Sequence, residues 1–153
     1  MKINKKNGYT LVEMVVYVAI VALVMTAIVG VILGIAKSSK YVGALNEIEN
    51  SAILSLSKIS REARSASSTN LVSASSSVSF GTTTIYLNSG RIYLNDSTRP
   101  LTSSKVNVSN LLFTPIISTT SKAIKIDMTL NATSSEKVIS KVFNTTTVLR
   151  GVN

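Results

Sequence analysis

An α+β fold, with one long N-terminal helix packed on an antiparallel β-sheet head, is the architecture this sequence predicts. Three observations carry it. Residues 14–36 form a run of 23 positions without a formal charge. The apolar residues between Tyr41 and Ala63 then recur at spacings of three and four, the period of a helix face. Beyond residue 70 the spacing shortens to two, the period of a half-buried strand.

The first segment, residues 1–8, is short, polar and basic, with Lys2, Lys5 and Lys6 ahead of the apolar run. The second, residues 9–36, is built to cross a bilayer. At about 1.5 Å per residue its uncharged part spans roughly 35 Å as a helix, enough for a ~30 Å hydrocarbon core with some tilt. Lysines before the run and polar bulk after it place the N-terminus in the cytoplasm and the C-terminal part outside, by the positive-inside rule. A secretory signal peptide carries its small-residue cleavage site after an apolar region of about 7 to 15 residues. Here the apolar region is longer, and the small residue, Gly8, stands in front of it. An uncleaved signal anchor is the plain alternative.

Glu13 is the informative residue of this segment. A carboxylate near the centre of a bilayer costs about 2.5 to 3.5 kcal/mol, so an acid at the edge of a membrane helix calls for a partner. Gly30 and Gly34 have the spacing that lets helices approach closely, although two small residues in an Ala/Val/Ile-rich span read equally well as composition. Each costs about 1 kcal/mol of helix propensity relative to Ala. Local loosening of the helix on assembly is therefore expected to start at this pair.

The third segment, residues 37–68, continues the helix. Tyr41, Leu45, Ile48, Ala52, Leu56, Ile59 and Ala63 lay one apolar stripe along it, while Lys40, Glu47, Glu49, Lys58, Arg61 and Glu62 occupy the other face. The stripe reads as core packed on a sheet. Gly43 marks a candidate bend, and the Ser/Thr-rich run 65–70 ends the helix.

The fourth segment, residues 69–153, is β-rich. Residues 84–88 and 91–95 flank Ser89 and Gly90, which reads as a hairpin with Gly supplying positive φ; the IYLN repeated in both arms reads as chance. In residues 123–130 the alternation puts Ile124, Ile126, Met128 and Leu130 on one face. Residues 106–113 and 137–149 supply further strands, with 138–143 also compatible with a helix. Together these predict one sheet of about four to six strands, covered by the helix on one face.

The chain has no Cys and no His, which removes disulfides, thiolate nucleophiles, imidazole bases and the common zinc ligand sets. The acids beyond the anchor are Glu47, Glu49, Glu62, Asp96, Asp127 and Glu136, and no two share a spacing that suggests a general acid–base pair or a calcium loop. Catalysis, a cofactor and a metal are therefore not expected, and Asp96 reads as a turn-capping residue. Of the 16 basic residues the three leader lysines precede Gly8, leaving 13 against 7 acids in the remainder of the chain. That balance suits anionic lipid, cell-wall polymer or nucleic acid. No cluster of cations interleaved with aromatics supports nucleic acid further.

The order of a basic leader, Gly8, an aromatic, Glu13 and an unbroken apolar helix resembles the cleavage and methylation motif of type IV prepilins, carried here by Gly8-Tyr9-Thr10-Leu11-Val12-Glu13. Tyr9 stands where the family more often has Phe. The resemblance implies a pilin-like fold and a non-enzymatic structural role. It implies cleavage between Gly8 and Tyr9 by a membrane prepilin peptidase, for which a residue without Cβ suits a narrow cleft. It further implies N-methylation of Tyr9, and pairing of Glu13 with the α-amine of a neighbouring subunit. The partners it implies are the peptidase, other pilin subunits in a homo- or hetero-oligomeric filament, the inner-membrane assembly platform, and the lipid bilayer before assembly. The head is loosely similar to minor pilins and to J-type minor pseudopilins of type II secretion. The expected product is a minor pilin or pseudopilin that moves from the inner membrane into an extracellular or periplasmic filament. A major pilin or a DNA-uptake pilus component are the alternatives within the family.

Overall fold

The computed structural model describes residues 9–66, 69–70, 73–118, 121–134 and 137–149. Two compact units divide between Ser39 and Lys40. Helix α1, Leu11–Ser65, contributes residues to both and stays helical through Gly30, Gly34 and Gly43.

In the first unit every described side chain is exposed. α1 has, at its N-terminal end, a stretch long and apolar enough to cross a membrane, and none of that stretch is buried. A helix apolar on all sides has no stable place in water, so its surroundings must be lipid or other helices.

The second unit is the head. Its α1 portion buries Ile48, Ser51, Ala52, Ser55, Ile59 and Ala63, with Ala44, Leu45 and Leu56 packed beside them. These are the three-and-four spacings of one helix face. Tyr41 does not join the stripe as expected; it is 41% exposed, because packing against the head begins only at Ala44 and Leu45. The charges on the flanks are not simply solvated either. Glu49 pairs with Lys141, Glu47 with Lys105 at 3.4 Å, and Lys58 with Glu62 at 3.0 Å.

Seven strands complete the head: β1 Ser77–Phe80, β2 Thr83–Asn88, β3 Arg91–Leu94, β4 Asp96–Pro100, β5 Val106–Ile117, β6 Lys122–Ser134 and β7 Lys137–Val148. The α+β architecture holds, but the strands form two antiparallel sheets, β1-β2-β3-β4 and β5-β6-β7, where one was expected. The two short strands β1 and β4 extend the hairpin into a sheet of its own. β5 joins the sheets: Val108 N donates to Gly90 O at 2.8 Å, and Ser75 and Phe113 exchange both backbone bonds.

The β2–β3 turn has positive φ at both central residues, 48° at Ser89 and 71° at Gly90, which is the type I′ pattern matching strand twist. A Cβ on Gly90 would fall 1.8 Å from Oδ1 of the exposed Asn107, which would have to turn aside, so the positive φ is the firmer restriction on this position. The repeated IYLN has a structural meaning. In this register Ile85 faces Leu94, Leu87 faces Ile92, and Tyr86 faces Tyr93 with rings stacked at 5.7 Å. An apolar–Tyr–apolar triplet on each arm therefore pairs with itself. At the β3–β4 corner Asn95 has φ 54°; its N donates to Thr84 O and its Oδ1 accepts from Thr84 N, while the side chain of Asp96 lies outside what the structure describes.

In β6, Ile124, Ile126, Met128 and Leu130 are all fully buried, as the alternation predicts. Residues 138–143 lie within strand β7, not in a helix; β7 pairs with β6 without a register shift from Lys137 to Val148.

Candidate functional site

The start of α1 is set by Thr10. Met14 N donates to Thr10 O at 3.2 Å, the first bond of the helix, and Glu13 N donates to Thr10 Oγ1 at 3.3 Å. Thr10 is thus the N-cap, and Glu13, three residues on, stands where a capping box has its acid. A carboxylate in the first turn also faces the positive end of the helix dipole. Tyr9 therefore lies just outside the helix, 73% exposed.

Tyr9, Glu13 and Tyr17 succeed one another at intervals of four. The two tyrosine rings meet edge to face, with centroids 6.3 Å apart and planes at 80°. Neither Thr10 as a cap nor Tyr17 as a neighbour of Tyr9 was anticipated from the sequence. The signals were present: a Thr three residues before the Glu, and a Tyr four residues after it.

The electrostatic contrast with the head is sharp. Among the acidic side chains described, Glu47, Glu49, Glu62 and Asp127 each have a lysine partner within 3.4 Å, whereas no described cation pairs with Glu13. Gly8 lies outside the described residues. Gly30 and Gly34 lie in regular helix, and nothing approaches within 4 Å of the Cβ position of either. Among the described residues no group of three potential metal ligands comes together.

Residues 3–29 match the family described as the prokaryotic N-terminal methylation motif. The matched segment is the prepilin-type cleavage and methylation sequence found in type IV pilin-like and pseudopilin-type proteins, a structural class. That class is processed by prepilin peptidase and assembles with other pilins, and α1 contains a stretch long and apolar enough to anchor the chain to a membrane. No curated protein and no solved structure matches the chain.

Proposed function

We propose that the protein is a minor pilin or pseudopilin, cleaved between Gly8 and Tyr9, N-methylated on Tyr9, and assembled through its N-terminal helix into a filament of the type IV pilus or type II secretion kind. The observation that carries this reading is Glu13, with no described counter-charge, in the first turn of α1 at the start of its wholly exposed apolar stretch. A carboxylate there needs a counter-charge when water is excluded. The freed α-amine of a neighbouring Tyr9 is of the right sign and, on this reading, is brought to the same depth by identical helices packed side by side. Local loosening at Gly30 and Gly34 would then let the helix settle against its neighbours.

N-terminal mass spectrometry of the protein from its native membrane tests the processing directly. The expected first residue is Tyr9 carrying one methyl group. A mature protein that begins at Met1 would instead be an uncleaved signal-anchored surface protein. Copy number in purified filaments separates a minor from a major subunit, a few per filament against the bulk of its mass.

A further inference from the structure

We infer that a cleft of the head, formed between α1 from Lys40 onward and the β5–β6 edge, is a binding site for the headgroup of an anionic phospholipid. The cleft has a volume of about 550 Å³ and is lined by Lys40, Gly43, Glu47, Lys105, Thr133 and Ser134. Two of these are lysines, and a third is close by. Lys137 pairs across the strands with Ser134.

The ladder of contacts along α1 fixes the level of this site. Glu49 meets Lys141 and Ser60 meets Thr147, so β7 runs alongside the helix in the same direction. Lys137 lies four strand residues, about 13 Å, before Lys141. That distance corresponds to about nine helical residues before Glu49, which is the level of Lys40. Lys40, Lys105 and Lys137 therefore gather at one end of the head.

The uncharged run closes at Ala36, and Lys40 comes after about 6 Å of helix. The polar layer on each side of a bilayer is about 5 to 7 Å thick. Lys40 thus comes within reach of the headgroups by chain connectivity, and it is itself a wall of the cleft. The only described acid in the cleft is Glu47, held by Lys105 at 3.4 Å. Lys105 is 74% exposed, and an ion pair so exposed is weak enough to yield to a phosphate. Thr133 and Ser134 add hydroxyls that can donate to phosphate oxygens or meet a glycerol hydroxyl. Among anionic ligands a lipid is favoured because Lys40 stands only four residues beyond the end of the apolar run, so a bilayer held by that run supplies lipid headgroups at high local concentration. The inference rests on the membrane anchoring of the chain and is independent of filament assembly.

The test uses the full chain in detergent, titrated with phosphatidylglycerol and with phosphatidylcholine, with lipid-bound species counted by native mass spectrometry. A lysine near an anionic headgroup contributes about fivefold to binding. Wild type is expected to prefer phosphatidylglycerol by about tenfold or more, and Lys40→Gln/Lys105→Gln to lose about that factor. Lys40→Arg/Lys105→Arg should keep the preference. So should Lys122→Gln, which removes the same charge at the other end of β6. Equal binding of the two lipids by wild type overturns the inference, as does an unchanged preference in the Gln double variant. Displacement of the lipid by an equal concentration of inorganic phosphate or glycerol phosphate also overturns it, because the site would then serve a free anion. Failure of the chain to float with vesicles of either lipid would remove the anchoring as well, which separates the two failures.

Discussion

Replacing Glu13 by Gln isolates the charge on which the assembly reading depends. The amide keeps the size of the side chain, and the backbone bond from residue 13 to Thr10 Oγ1 does not involve the carboxylate. Within the subunit, the loss is the interaction of the carboxylate with the helix dipole, about 0.3 to 1 kcal/mol. That is a factor of five at most. Between subunits the loss is larger, because the α-amine of the neighbouring Tyr9 would stay charged in apolar surroundings with nothing opposite it. Removing one partner of a buried pair costs about 3 to 5 kcal/mol. At 1.4 kcal/mol per factor of ten this predicts a depletion from filaments of at least about a hundredfold.

The assay compares variant and wild-type subunit in sheared filaments and in the membrane fraction by quantitative mass spectrometry. The same samples give the N-terminal residue and its methylation. Glu13→Gln is expected to begin at methylated Tyr9, accumulate in the membrane and be nearly absent from filaments. A depletion of fivefold or less, with normal processing, would mean that the carboxylate acts only within its own helix, and the intersubunit pair would have to be abandoned.

Gly8→Val should leave a precursor that retains residues 1–8, visible as an unchanged precursor mass in membranes that process wild type fully. Thr10→Ala should weaken the first turn of α1 by about 1 kcal/mol, seen as roughly fivefold faster amide exchange at residues 12–14, and Thr10→Ser should restore it. Ile59→Ala removes a fully buried side chain between helix and sheets and should cost the head about 2 to 5 kcal/mol in denaturant unfolding. Gly90→Ala should destabilise the head through its φ of 71° and its approach to Asn107. Adding Asn107→Ala should recover the steric part while leaving about 1 kcal/mol of backbone strain, so a cycle with no coupling would refute the contact.

The N-terminal half was legible because its signals are local and redundant. An uninterrupted apolar run, a helical stripe and the Gly8 to Glu13 motif each survive without knowledge of the rest of the chain. In the head, β6 could be read because both of its neighbours cover it and its alternation is unbroken over Ile124, Ile126, Met128 and Leu130. β1 and β4 were harder to see. Ser77–Phe80 and Asp96–Pro100 are edge strands of only four and five residues, too short for an alternation to stand out, and what makes them strands is the template offered by the β2–β3 hairpin. The division into two sheets is a tertiary matter, decided where Gly90 and Ser75 bond to β5, and no periodicity encodes such a meeting. The same reasoning explains Tyr41. It obeys the helical spacing of the stripe, but spacing says which way a side chain points and not how far the partner surface extends.

The exposed helix also shows which energies can decide assembly. Moving an apolar helix from lipid into a bundle of similar helices gains little from the hydrophobic effect, since hydrocarbon tails are as apolar as Leu or Val. The many exposed Val, Ile, Leu and Met side chains of the first unit therefore give the proposed transfer little direction. Direction must come from the few groups that distinguish the two surroundings: small residues that permit close packing, such as Gly30 and Gly34, and a charge that lacks a partner in one setting and gains it in the other. In the described part of that helix the only such charge before Lys37 is Glu13. On the proposed reading, one carboxylate at the helix entrance biases an otherwise nearly neutral exchange, and the apolar length behind it supplies solubility in both phases.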